Sequence, residues 1–327
     1  MRAVLCKAFG AKPDDLVLED VTPPVLGDGG VRIAVHATGL NFADTLLLKG
    51  EYQVKPELPF SPGLEIAGEV MECAPGVDRC KPGDRVMAMV DYGGFAEEAV
   101  ASADRIHVIP DTVDFVTAAA FPVAYGTSHL GLKYRAHLAD GETLLVNGAA
   151  GGVGLTAVEI GKRMGAEVIA TAGGADKLEV PRQYGADHLI DYRAEDIRAR
   201  VRDITGGRGV DVVYDPVGGA AFDASLRSTA LGGRILVIGF ASGTVPQVPA
   251  NILLVKNITL LGYYWGQYLK LDPALMAESF EELLAWLGAG ELKPHISHTY
   301  GLEDAAQALD ALASRRSTGK VVLKVRT

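Results

Sequence analysis

A glycine-rich turn suited to holding phosphate stands at Leu144-Leu145-Val146-Asn147-Gly148-Ala149-Ala150-Gly151-Gly152-Val153-Gly154. Leu144 to Val146 are apolar and too few for a helix, whereas Leu155, Val158, Ile160 and Met164 recur at roughly helical spacing. The order is strand, tight glycine turn, helix. Small residues let the backbone turn sharply and approach a pyrophosphate closely. The first turn of such a helix offers free N–H groups, and its dipole favours the phosphate charge. A second strand at Glu167-Val168-Ile169-Ala170-Thr171-Ala172 supplies the context that gives the turn meaning as a dinucleotide site; the alternative is a structural turn without a ligand. Sites that hold an unphosphorylated adenosine ribose usually end that second strand with Asp or Glu. Here Thr171-Ala172-Gly173-Gly174 stands there, so no carboxylate repels a 2′-phosphate. Lys177 follows, either as a point-charge phosphate binder or as a solvated helix lysine.

No acid–base pair stands out. His36, His107, His129, His137, His188, His295 and His298 are scattered and in no readable motif, and there is no G-x-S-x-G elbow. Such a chain suits hydride transfer in which the cofactor carries the chemistry and orientation supplies most of the acceleration.

Residues 1–122 carry short alternating strands (Val31–Val35, Ala67–Met71, Arg85–Met89) separated by Pro75-Gly76, Pro82-Gly83-Asp84 and Gly93-Gly94. That pattern predicts a mostly antiparallel, barrel-like β domain. From Val123 to Tyr263 the rhythm is strand–helix–strand, with strands at Leu144–Asn147, Val168–Thr171, Val210–Tyr214, Ile235–Gly239 and Thr259–Gly262. This predicts a doubly wound parallel sheet. Helices at Met276–Leu287 and Glu303–Ala313 and a strand at Val321–Val325 follow, the strand rejoining the first domain. The expected domains are therefore 1–122 with 264–327, and 123–263. Pro181 predicts a kink or break in the helix from Asp176 to Tyr184, near Lys177 to Val180.

The 327 residues suit about two domains, and 48% hydrophobic with 22% charged is ordinary globular composition. A net charge of −10 without basic clusters argues against nucleic acid. No apolar run approaches a membrane span, and Met1 enters a strand pattern with no signal-peptide layout. Cys6, Cys73 and Cys80 fit free thiols in a reducing cytoplasm. Ile258–Gly262 is an apolar strand that could lie at a sheet edge and pair with a second copy, giving a homodimer.

Gly39-Leu40-Asn41-Phe42-Ala43-Asp44, Pro62-Gly63-Leu64-Glu65-Ile66-Ala67-Gly68, Pro82-Gly83-Asp84-Arg85-Val86, Ala149–Gly154, Gly185-Ala186-Asp187 and Lys256–Gly262 occur in an order specific to one family. The chain resembles a medium-chain dehydrogenase/reductase of the zinc-independent quinone oxidoreductase (zeta-crystallin-like) branch, over essentially its full length. The resemblance implies an α/β fold: a GroES-like β-barrel catalytic domain beside a doubly wound Rossmann domain, with the active site in the cleft between them. Zinc enzymes of this family carry a histidine ligand where Leu64 stands and a cysteine ligand where Asn41 stands, so no metal is expected.

By the same resemblance, Gly173, Lys177, Tyr192 and Arg315 grip a 2′-phosphate, which makes NADPH the expected cofactor. Ala150, Gly151, Gly152 and Val153 lie on its phosphates, Thr127 under the nicotinamide face, and Gly239 with Phe240 beside it. Asn41 lies near nicotinamide and substrate, where its amide can donate to a developing oxyanion; without the resemblance it is a turn asparagine. Tyr52 covers a flat acceptor or packs on its own domain. Asp44 is a helix cap or a catalytic neighbour. Glu65 orients backbone. Tyr263, Tyr264 and Trp265 line the acceptor site or form a hinge core. The implied activity is NADPH-dependent quinone reduction. The alternatives are reduction of an activated C=C bond (an enone or enoyl thioester), or a non-enzymatic NADPH-binding crystallin-like protein.

Overall fold

A computed structural model describes residues 1–326. The chain forms two compact units, residues 1–123 with 284–327 and residues 124–283.

The first unit holds β1 (Arg2–Leu5), β2 (Val17–Asp20), β3 (Gly30–Leu40), β4 (Glu65–Cys73), β5 (Arg85–Met89), β6 (Glu98–Ser102) and β7 (Ile106–Val108). β1 and β2 pair as a ribbon, and the other five enter a seven-stranded sheet. The long strand β3 is the spine: it pairs antiparallel with β4 along one edge and with β6 along its first residues on the other. Alternation places Val31, Ile33 and Val35 in the core beside Ile66, Val70, Val86 and Ala88. The helix Phe42–Lys49 leaves β3 directly after Asn41 and buries Leu47 and Leu48.

The second unit contains β8 (Thr143–Val146), β9 (Glu167–Ala172), β10 (His188–Asp191), β11 (Val210–Asp215), β12 (Thr229–Val237) and β13 (Thr259–Gly262) in one parallel sheet. The order β10-β9-β8-β11-β12-β13 reverses direction at the β8/β11 junction, the Rossmann arrangement with its ligand crevice at the strands' carboxyl ends. The central strands are apolar throughout, as a sheet covered on both faces requires: Leu144, Leu145, Val146, Val212 and Val213 have no exposed surface. β10 was not expected from the sequence; its four residues include His188 and Asp191 and give little apolar signal.

The chain then returns to the first unit through β14 (Ile296–Gly301) and β15 (Lys320–Lys324). β15 lies between β14 and β3, so the last strand does rejoin the first sheet.

Two expectations need correction. Residues 264–283 belong to the second unit, so the return to the first unit falls 20 residues later than expected. The cause is packing: Trp265 lies over Gly126 and against Phe280, and buried His129 bonds Ser279 Oγ at 2.7 Å through Nδ1. The helix Ala175–Gln183 also runs unbroken through Pro181. Pro181 is its seventh residue, so one missing donor near the end does not terminate it.

Candidate active site

In the second unit the glycine turn does what its residues require. Gly151 precedes the helix Gly152–Arg163 with no side-chain cap, so the N–H groups of Gly152, Val153 and Gly154 have no intrahelical acceptor. A Cβ on Gly154 would lie 2.2 Å from the Gly148 carbonyl oxygen, so only glycine lets the helix start this close to the turn. Ala149 N–H bonds the Thr171 carbonyl at 2.8 Å, tying the turn to the end of β9.

The end of β9 brings together part of the expected 2′-phosphate set. A Cβ on Gly173 would lie 2.6 Å from the Tyr192 hydroxyl and 3.0 Å from Arg193 Nε. Gly173, Tyr192 and Arg193 therefore share one small cradle, and Lys177 sits in the first turn of the helix that follows. Arg193 was missed: the resemblance pointed to its neighbour Tyr192, and nothing local marks Arg193 as facing Gly173. Asp191 accepts from Gly174 N–H at 2.9 Å and Arg193 N–H at 3.0 Å, and these backbone bonds hold its carboxyl below the usual range. Arg315 is an exposed residue of the first unit with φ 57°.

At the switch point, Asp215 is buried at the end of β11 and accepts from Asn147 Nδ2 at 3.0 Å and from Val217 and Gly218 N–H. Burial raises its pKa. Gly239 and Phe240 follow β12, and Gly239 N–H reaches the Asp215 carbonyl at 3.3 Å. Phe240 is partly exposed beside Gly218. Thr127 is buried, and its carbonyl accepts from the Tyr263 hydroxyl at 3.0 Å. Trp265 is thus an interior residue of this unit, Tyr263 is half-buried, and Tyr264 is partly exposed.

In the first unit the focus is Asn41. Its backbone N–H donates to Asp44 Oδ2 at 2.7 Å, and Asp44 Oδ1 accepts from Gly63 N–H at 3.1 Å, so Asp44 is a buried helix-capping residue. Burial pushes the Asp44 carboxyl up to about 7. The Asn41 side chain does not cap the helix. Its Nδ2 donates to Glu65 Oε1 at 2.8 Å, and its Oδ1 accepts from Lys320 Nζ at 2.7 Å. Lys320 Nζ also reaches Glu65 Oε1 and the Leu40 carbonyl, each at 2.7 Å. Glu65 Oε2 accepts from Val123 N–H at 2.8 Å, which bears out its backbone-orienting role. Lys320 was missed: in the sequence it is one lysine ahead of an apolar strand, and its partners lie more than 250 positions earlier. Tyr52 is partly buried and packs against the core of its own unit.

A glycine-turn Rossmann sheet and a β3-centred, mostly antiparallel sheet are the two parts of an alcohol-dehydrogenase-like oxidoreductase fold. Residues 27–111 match the alcohol dehydrogenase GroES-like domain and residues 152–288 the zinc-binding dehydrogenase domain. A quinone oxidoreductase-like protein 2 homolog from Nematostella vectensis is 44% identical over 99% of this chain and 89% of its own length. The Escherichia coli quinone oxidoreductase, solved in complex with NADPH, is 30% identical with a TM-score of 0.92, covering 99% of this chain and all of that one. A structure described as an NAD-dependent alcohol dehydrogenase is 31% identical with a TM-score of 0.91, with full coverage of both chains. The chain belongs to the medium-chain dehydrogenase/reductase family, in its quinone oxidoreductase branch.

The zinc named by the second domain can be tested against the donors here. Leu64 has no ligand atom. Asn41 Oδ1 and Glu65 Oε1 already face an ammonium, and Glu65 Oε2 faces a backbone N–H. Among the described residues, no three His, Cys, Asp or Glu side chains group as metal ligands. The donor set does not fit zinc. The cradle at the β9 end does fit a phosphorylated dinucleotide, because its space exists only while residue 173 lacks a Cβ and it is bordered by a guanidinium and a hydroxyl. No helix among the described residues is long and apolar enough to cross a membrane.

Proposed function

We propose that this protein is an NADPH-dependent quinone oxidoreductase that works without a metal. The observation that carries the reading is the pairing of two features: in the second unit, the Gly173–Tyr192–Arg193 cradle at the β9 end, where the neighbouring Asp191 carboxylate is engaged by Gly174 and Arg193 N–H; in the first, a zinc-incompatible donor set around Asn41. When bound, NADPH supplies the hydride. The residues assigned to hold it are Ala150, Gly151, Gly152 and Val153 at the diphosphate, and Gly173, Lys177, Tyr192, Arg193 and Arg315 at the 2′-phosphate. Thr127, Gly239 and Phe240 are assigned to the nicotinamide side. Gly152 and Val153 contribute backbone donors, whose partial charge matches a diphosphate without a counter-ion. Asn41 has the role of presenting an N–H to the acceptor oxygen, where negative charge grows during reduction. Tyr52 stacks on the flat acceptor. A quinone accepts hydride readily with this help alone, whereas alcohol oxidation would call for a Lewis acid. Water then supplies the proton.

β13 is the edge strand of the parallel sheet, paired as a strand with β12 alone. Pairing with a second copy along this edge gives the homodimer; a monomeric mass by light scattering at micromolar concentration would rule it out.

The test of function is NADPH oxidation against 1,4-benzoquinone, 9,10-phenanthrenequinone and a simple enone after exhaustive chelation, with NADH in parallel. Fast chelator-resistant quinone turnover with NADPH is expected. Turnover of the enone alone would move the acceptor class, and tight NADPH binding with no turnover would replace the enzyme by a binding protein.

A further inference from the structure

Lys320 is the first residue of β15 and only 4% exposed, yet it is a cation. A buried ammonium is costly unless every donor is matched. Here the match is complete: three N–H donors meet the Leu40 carbonyl, Asn41 Oδ1 and Glu65 Oε1. Glu65 is fully buried and receives Lys320, the Asn41 amide and Val123 N–H. Gly39 leaves the room for it, since a Cβ there would lie 2.7 Å from Glu65 Oε1.

The consequence falls on Asn41. An amide can be turned over, exchanging its oxygen and nitrogen. Here an ammonium, which only donates, faces one end, and a carboxylate, which only accepts, faces the other. Turning the amide over would put NH₂ against NH₃⁺ and oxygen against carboxylate. The orientation is therefore fixed by charge. One Nδ2 hydrogen goes to Glu65, and the second has no acceptor among the described residues. Polarisation of the amide carbonyl by the ammonium strengthens that remaining N–H as a donor.

We propose that Lys320 is a positioning residue for the reaction: its ammonium locks the Asn41 carboxamide so that a free N–H is presented to the acceptor oxygen, an internal cation taking the place of a metal in organising this site. The proposal rests on the reading that Asn41 meets the acceptor.

The test compares wild type with K320M and with the charge-balanced pair E65Q/K320M. The single variant strands a buried carboxylate and can fail to fold, whereas the pair removes both charges. Losing a preorganised donor should lower kcat on the order of 10²-fold, while KM for NADPH changes far less, because the phosphate contacts assigned to Gly152, Val153, Lys177 and Arg193 are not altered. In K320A, propylammonium should restore turnover and 1-propanol should not. The ligand-free readout is the Asn41 side-chain amide in ¹⁵N NMR. Wild type should show one exchange-protected and one unprotected proton, and E65Q/K320M should show two that exchange fast. Retained kcat in the folded pair, or an unchanged amide spectrum, overturns the proposal. A wild type that turns over neither quinone nor enone overturns the functional reading instead, and the amide spectrum still decides whether Lys320 sets the orientation.

Discussion

Asp44 gives the sharpest physical test of this architecture. It is fully buried, and burial lifts its carboxyl from 3.8 to about 7 against the opposing pull of Asn41 N–H, Lys320 and Gly63 N–H. Between those values the native protein holds a proton that the unfolded chain has released. Stability from this group is thus complete below about pH 3.8 and is lost as pH rises through about 7. The shift corresponds to about 4 kcal/mol, as an order of magnitude. Asn at this position does not titrate, so D44N lacks the slope, although it keeps only one of two acceptors for the backbone N–H groups. Urea unfolding of both proteins at intervals from pH 4.5 to 8 measures the difference directly, and contributions from the histidines cancel in the subtraction. D44N should gain on wild type by most of about 4 kcal/mol across that window. A difference that is constant with pH would refute the claim that Asp44 is protonated in the native state near neutrality.

The remaining expectations concern the second unit. Gly154→Val should abolish NADPH binding measured by nucleotide fluorescence, because its Cβ would sit 2.2 Å from the Gly148 carbonyl; unaltered binding would mean the turn is not the phosphate site. Lys177→Ala and Arg193→Ala should each weaken NADPH about tenfold or more while leaving NADH unchanged, as loss of a charge-assisted bond to a phosphate predicts. Equal losses for both cofactors would move the 2′-phosphate elsewhere. Burial drives His129 down to about 4, so its contribution is present above pH 6.5 and is lost as pH falls toward 4. His129→Gln should remove an acid-side slope on the order of 3 kcal/mol in the same unfolding series.

Local pattern made the parallel sheet and the phosphate turn readable. Val168–Thr171 and Thr259–Gly262 needed only their apolar runs and neighbouring turns, and both fall in observed strands. β10 escaped because an edge strand with His188 and Asp191 need not be apolar. The boundary at 263/264 failed because Trp265 and Ser279 find their partners, Gly126 and His129, more than a hundred residues earlier. Asn41, Asp44 and Glu65 were visible as a motif. Lys320 was not, since only the pairing of β15 with β3 brings it to them.

That pairing also governs the order of assembly during synthesis. β15 joins the middle of the first sheet, covering Ala37 to Leu40 of β3, and its Val321, Val322 and Leu323 are wholly interior. All of residues 124–283 must leave the ribosome before it appears. At typical translation speeds the wait is roughly eight to thirty seconds, during which a nearly apolar length of β3 edge stands open. The second unit can complete itself meanwhile, but the first cannot. Because Lys320 arrives on that same strand, Asn41 has no ammonium partner until β15 has paired with β3.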